Sequence, residues 1–286
     1  MNVPARRPAA PGLGIGIGIG IDLWWIPRAI VLGLLAFAIF GPLTNLILWT
    51  VAERWYFPHA MPLEYGFSYW ERVFSPRGTA MESLTNSVVV ASLTVVVSMT
   101  LAVPAGYALA RLQLPFRALI LLAFLVPQAF PNLPVYVNIA RLFYQLGLNG
   151  TVTGVVLVHV THGLVYAVWI ATAAFSAVDT ELEEAARSVG ASALRTFKDV
   201  TLPLAAPGLL ASAIFVFLES LDEFTGSYFV GAPDVNMLPL LLYTASAGGN
   251  YQIASITALL LLIPSVGFML VVERFLRSDV LSKVGH

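Results

Sequence analysis

Six apolar stretches, spanning 29–51, 87–109, 118–137, 152–174, 207–221 and 254–272, leave this chain few ways to fold. A hydrocarbon layer roughly 30 Å thick takes about 20 helical residues to cross. It offers no water to an unpaired backbone N–H or C=O, so segments of this kind must be helices that satisfy themselves. The sequence therefore predicts an all-α membrane protein of six transmembrane helices. The fifth stretch is the shortest; Pro203 and Pro207 suit a helix's first turn or a kink, so it can begin as early as Leu202. Composition agrees, with 58% hydrophobic residues, 11% charged residues and a mean hydropathy of +0.82, where a soluble domain carries about 25% charged residues.

Orientation follows from the basic residues. With the N-terminus cytoplasmic, the inner segments hold Arg6, Arg7, Arg28, Arg111, Arg117, Arg187, Arg195, Lys198, Arg274, Arg277 and Lys283, against Arg54, Arg72, Arg77 and Arg141 outside. That imbalance puts both termini in the cytoplasm. Residues 1–28 then read as a flexible cytoplasmic tail with a Gly/Ile alternation from Gly12 to Gly20. Glycine at every second position resists helix formation, and Trp24, Trp25 and Arg28 form an interfacial anchor, so a signal peptide is the weaker reading. Residues 29–84 comprise the first span and an outer segment, and 276–286 a cytoplasmic tail. The outer segment is dense in aromatic residues, among them Trp55, Tyr56, Phe57, Tyr65, Phe67, Tyr69, Trp70 and Phe74. Interfacial anchoring explains these more simply than a sugar-stacking platform.

Several functions are excluded or unsupported. The chain has no cysteine, hence no disulfide, thiolate metal site or cysteine nucleophile, and a net charge of −1 gives no footing for nucleic-acid binding. No phosphate-binding Gly-rich loop is present, so any nucleotide chemistry belongs elsewhere. His159 and His162 form His-x-x-His in the fourth span, but two histidines without nearby carboxylates are a poor ligand set, and helix packing is the simpler role. No cofactor or metal is expected.

A polar island from Asp179 to Pro203 stands between the fourth and fifth spans, on the cytoplasmic side. Thr180 and Glu183 read as a capping box, predicting a short helix from Glu181 with Leu182, Ala185, Ala186 and Val189 on one face. Gly190 should end it in the left-handed conformation, and Ser192 should cap a second short helix. Glu184-Ala185-Ala186, then three residues, Gly190, nine residues, Val200, one residue and Leu202-Pro203 resembles the EAA loop of ATP-binding-cassette importer permeases. The family usually has Ile where Val200 stands. The resemblance covers roughly residues 85–275, a permease core of five transmembrane helices with the loop at 179–203. It implies the type I importer permease fold in a bacterial inner membrane, and a transport subunit rather than an enzyme. It further implies two ATPase subunits docked on Glu184, Ala185, Ala186 and Gly190, with Leu202 and Pro203 marking re-entry into the membrane. A second homologous permease, an extracytoplasmic solute-binding protein and membrane lipid would complete the surroundings. An ion-coupled secondary transporter is the alternative, which internal inverted repeats would support and none is evident.

Charge inside the membrane points to a substrate path. Glu219, Asp222 and Glu223 are spaced i, i+3, i+4 on one predicted helix face, with Glu219 roughly 18 Å in from Pro207. Their repulsion would be relieved by a cationic solute. The competing readings are a fifth span that ends near Leu221 with Asp222 and Glu223 in water, or neutralisation by arginines of a partner. Pro127, Pro131 and Pro134 interrupt the third span and suggest a pore- or gate-facing irregularity. The runs Leu221 to Phe224, Gly231 to Pro233 and Leu238 to Leu240 resemble permeases for polyamines, ferric ions and phosphonates. Pro127-Gln128 and the Leu146 to Asn149 turn resemble sugar permeases, in which an Asp commonly stands where Val189 is. The expected solute is a small polar organic molecule: a polyamine, a phosphonate- or opine-like compound, or a sugar.

Overall fold

A computed structural model describes residues 25–75 and 78–284. The Gly/Ile run and most of the predicted N-terminal tail lie outside the described residues. The chain divides into two units, residues 1–45 and 46–286. The first unit holds most of α1 (Trp25–Thr50), an apolar helix with Pro42 inside it.

Beyond α1 the chain forms a two-stranded antiparallel hairpin, β1 (Ala52–Arg54) and β2 (Glu64–Tyr65), then a short helix, α2 (Ser68–Val73). No alternating pattern in the sequence announced these strands; what organises them is polar. The Glu53 carboxylate accepts from the Ser68 backbone N–H (2.8 Å) and from the Ser68 hydroxyl, standing in for an α2 cap. Those hydrogen bonds hold the Glu53 carboxyl below its ordinary pKa. Trp70 Nε1 donates to the Thr50 carbonyl (2.8 Å), tying α2 to the end of α1.

Three long helices make the core: α3 (Thr79–Arg111), α6 (Val152–Ser176) and α9 (Leu202–Asp222). The buried face of α3 is small and regularly spaced: Ser83, Ser87, Val90, Ala91, Thr94, Ser98, Ala102, Gly106 and Leu109. Small residues let helix axes approach closely where lipid provides no hydrophobic drive. A Cβ on Gly106 would sit 2.8 Å from the Ala171 Cβ, and one on Gly208 would sit 2.6 Å from the Ala174 Cβ. α6 is the most enclosed span, with 67% of its apolar window buried. Gly106→Leu is expected to wedge α3 from α6 and destabilise the fold by about 1–3 kcal/mol, the usual cost of overpacking. A thermal midpoint in lipid nanodiscs, read against wild type, checks this.

The third predicted span departs from a straight helix. It is two helices, α4 (Arg117–Ala129) and α5 (Asn132–Leu146), bent by 90°. The cause is local: Pro131 lacks an N–H and drives the residue before it out of the helical region, and Phe130 is extended at φ −96°, ψ 144°. Gly147, at φ 68°, stops α5, and the Thr151 hydroxyl caps α6 by accepting from the Gly154 N–H (3.0 Å).

Between α9 and the last helix, α11 (Tyr251–Val284), the sequence reading placed no span. The structure has a π-helical turn (Ser227–Gly231) and a ten-residue apolar helix, α10 (Leu238–Ala247), too short to span. The Ser87 hydroxyl accepts from the Leu238 N–H (2.9 Å), so α3 supplies the α10 cap. Among the described residues four helical rods are long and apolar enough to cross a membrane singly, and the bent α4–α5 pair makes a fifth. α11 contributes a shorter apolar run, Tyr251–Gly267, and its helix continues beyond the predicted end at residue 272, through most of the predicted C-terminal tail.

Candidate coupling surface and intramembrane polar site

The polar island folds as a knob of two short helices, α7 (Thr180–Ser188) and α8 (Ala193–Thr196), followed by a π-helical turn (Phe197–Thr201) that runs directly into α9. The N-cap of α7 is Asp179, whose carboxylate accepts from the Glu181 N–H (2.9 Å), so the cap lies one residue before the predicted Thr180. The acidic side chain at 179 reaches the free N–H and also complements the helix dipole. Gly190 takes φ 88° and ends the helix as expected, and Ser192 caps α8.

The outward side of the knob is uncovered and carries large aliphatic residues, Leu182, Val189 (87% exposed) and Leu194 (77% exposed), among exposed polar ones, Glu181, Glu184 and Arg187, with Ala185 also exposed and Ala186 half-buried. Its inward side is fastened by Glu183, which the sequence reading placed in a capping box with Thr180 and which the structure turns to Arg111 and Thr201 instead. Glu183, only 5% exposed, pairs with Arg111 Nε at the end of α3 (2.9 Å) and accepts from the Thr201 hydroxyl (2.9 Å). Arg111 Nη2 also donates to the Val178 carbonyl (2.7 Å). Tyr107, Phe175 and Phe197 pack edge to face or tilted beside this pair. Adjacent identical residues, Glu183 and Glu184, thus point to opposite environments, a distinction no spacing rule reveals.

At the other end of α9 the three predicted carboxylates separate. The helix stops at Asp222, and Glu223 turns out of it at φ −71°, ψ 109°, so the three do not share one helix face. Glu219 and Asp222 line a cleft of about 420 Å³ with Leu242, Ala258 and Ser265. α9 starts at Leu202, which places Glu219 roughly 26 Å along it. Glu223 is instead buried against protein, accepting from the Gly226 N–H (2.9 Å) and the Ser227 N–H (3.1 Å). A Cβ on Gly226 would overlap Val158 and approach Tyr136, so only glycine allows this turn to close under α6.

His159 completes the cluster. Its Nδ1 lies 2.7 Å from the Ser220 hydroxyl, and its Nε2 lies 2.9 Å from the Ser227 hydroxyl and 3.4 Å from the Glu223 carboxylate. The Ser227 hydroxyl also lies within hydrogen-bond distance of the Glu223 carbonyl (2.9 Å). His162 Nδ1 meets the Tyr136 hydroxyl at 2.6 Å. The two histidines therefore hold α5, α6, α9 and the Ser227–Gly231 turn together. Among the described residues no group of three His, Asp or Glu could hold a metal ion.

Residues 78–278 match the family described as "Binding-protein-dependent transport system inner membrane component". The trehalose transport system permease SugB of Mycobacterium tuberculosis is 29% identical over 220 residues, 75% of this chain and 80% of that protein. The molybdate/tungstate transport system permease WtpB of Pyrococcus abyssi is 32% identical over 143 residues, 50% of this chain and 57% of that one. The same fold occurs in a bacterial ABC transporter involved in the import of the acidic polysaccharide alginate, at a TM-score of 0.68 and 18% identity, covering 89% of this chain and 96% of that one.

Proposed function

The chain belongs to the inner-membrane components of binding-protein-dependent transport systems, a permease subunit of an ATP-binding-cassette importer and not an enzyme, and from that premise we propose how it couples and what it carries. The knob is the coupling element: a partner ATPase docks on the face formed by Glu184, Ala185, Ala186 and Gly190, flanked by Leu182 and Val189. The observation that carries this is the two-sidedness of α7, open outward with Leu182 and Ala185 uncovered while Glu183 is fastened inward. Large exposed aliphatic residues on a polar loop mark a surface that a partner covers. Two ATPases, a second permease and an extracytoplasmic binding protein complete the assembly in a bacterial inner membrane, with both termini of this chain cytoplasmic. Closure of the ATPases around ATP moves the knob and, through Leu202 and Pro203, the attached α9, which alternates access to the cavity.

The solute in this reading is a small polar organic molecule. Glu219 and Asp222 line its path, where carboxylates accept hydrogen bonds from hydroxyl or ammonium groups and repel a free oxyanion. Glu223, held by its own turn, supports the path from behind. The family sets this importer reading above an ion-coupled transporter.

Glu184→Lys tests the coupling assignment in the reconstituted transporter. Solute-stimulated ATP hydrolysis should fall by at least about tenfold, equivalent to about 1.4 kcal/mol, while the variant chain elutes from size exclusion as wild type does. Undiminished stimulation would remove the docking role from this face.

A further inference from the structure

α5 is tied to the core by little. It buries a single residue, Tyr136, with Ile139, Ala140 and Phe143 only partly buried beside it, and α4 before it buries none. Both of its ends are places where the backbone can turn. Its first turn follows the extended Phe130 and Pro131 and has no side-chain cap. Gly147 ends it in the left-handed conformation, with nothing within 4 Å of where a Cβ would stand. A stiff helix between two unbraced breaks, with little buried surface, has the make-up of a segment that moves as a unit.

What holds the helix is Tyr136, which is 0% exposed. Its hydroxyl lies 2.6 Å from His162 Nδ1, and its ring is tilted at 42° to the imidazole with centroids 5.4 Å apart. A Cβ on Gly226 would come within 3.1 Å of the Tyr136 Cε1, so the ring sits in a socket between α6 and the turn that follows α9. That socket is not fully satisfied. His162 is 5% exposed, and its Nε2 is buried with no hydrogen-bond partner among the described residues. A buried polar atom left unpaired forfeits its hydration, a penalty comparable in size to the net gain of one hydrogen bond. The closed arrangement is therefore poised: water entering as α5 swings away would hydrate the hydroxyl and the imidazole together. His159 differs, with both of its nitrogens engaged by Ser220 and Ser227, and belongs to the fixed part of the core.

We propose that α5 is a hinged arm, pivoting at Phe130–Pro131 and at Gly147, and that the Tyr136–His162 hydrogen bond latches it shut over the end of the permease away from the knob. His162 lies roughly 20 Å from the end of α6 that leads into the knob. Release comes through Gly226, because the turn that carries it continues from α9 and a displacement of α9 opens the socket around the Tyr136 ring. The assignment rests on the importer reading above, and adds which element yields at the far end and which bond holds it.

The chain has no cysteine, so one introduced thiol reports alone. Ala140→Cys places it on the partly buried side of α5, a helical turn beyond Tyr136, and Val168→Cys places it at a fully buried position of α6. Each is made in the full chain in lipid nanodiscs, and its rate of modification by a membrane-impermeant maleimide is measured with and without Tyr136→Phe or His162→Asn. Tyr136→Phe keeps the ring and deletes the hydroxyl; it should speed modification of the Ala140→Cys thiol at least about fivefold, the population shift expected from one lost hydrogen bond. The Val168→Cys thiol should stay as slow as in its parent. His162→Asn still offers the Tyr136 hydroxyl an amide partner and should keep the Ala140→Cys rate within about twofold of its parent. The proposal is overturned if Tyr136→Phe leaves the Ala140→Cys rate unchanged, or if His162→Asn raises it as much as Tyr136→Phe does. It is overturned equally if the Val168→Cys thiol speeds up in step, since the whole core has then loosened. Its failure is separable from failure of the importer reading, which the Glu184→Lys ATPase measurement judges independently.

Discussion

Replacing Arg111 with alanine is expected to destabilise the folded chain by about 3–5 kcal/mol, because it strands the Glu183 carboxylate in a nearly closed site. Arg111 and Glu183 side chains are 10% and 6% exposed, and removing the guanidinium also takes away the donor to the Val178 carbonyl. For a chain of this size the thermal midpoint should fall by roughly 10 °C. Arg187, 4.0 Å away and half exposed, is too far and too wet to compensate. Glu183→Ala should cost a similar amount from the other side, whereas the joint exchange Arg111→Met with Glu183→Met should recover much of the loss, since no unpaired charge remains. Thermal unfolding of the three variants in nanodiscs decides it. A midpoint unchanged in Arg111→Ala would mean that water reaches this pair freely and that the knob is not fastened as described.

Glu223→Ala is the second large effect, expected at about 3 kcal/mol. The carboxylate takes two backbone N–H groups, from Gly226 and Ser227, and faces His159 Nε2. Alanine leaves those donors without a partner in a site closed to water, each costing about 1–3 kcal/mol. Glu223→Gln keeps one acceptor oxygen and should lose less than half as much. Denaturation midpoints of both variants, with solute uptake measured alongside, separate a structural role from a direct one. Equal losses in the two variants would show that charge, rather than the two accepted hydrogen bonds, is what the turn needs.

The sequence made the long apolar helices legible because 20 apolar residues have no other use in a membrane protein. It made the knob legible because Gly190 and Ser192 have specific backbone consequences. The break at Phe130 was visible as three prolines, but not its angle, which depends on what α4 and α5 pack against. Glu183 and Arg111 were hidden for a different reason: they are 72 positions apart in sequence, and their pairing exists only once α3 has been laid beside the knob. The shared face of Glu219, Asp222 and Glu223 came from extending helical periodicity one residue past the true end of α9; the competing reading, a span ending near Leu221, had the end nearly right but put Glu223 in water, where it is buried. Nothing in Leu221 to Phe224 marks that end; the stop comes from Gly226 and Ser227 drawing the carboxylate inward.

The uninterrupted passage from α8 through the π-helical turn into α9 makes a single 30-residue rod, Ala193–Asp222, roughly 45 Å long. A π-turn is a helix carrying one surplus residue, and each residue added or removed rotates everything beyond it by about 100°. The angular phase between the foot of the knob at α8 and the carboxylates at the far end is therefore written into the residue count between them. Under the proposed coupling a pushed knob acts as the handle of a lever, and a tilt of 10° at one end sweeps the other through roughly 8 Å for a rod of that length. Evolution can exchange side chains along such a shaft freely, but it can change the shaft's length only by losing the alignment of its two ends.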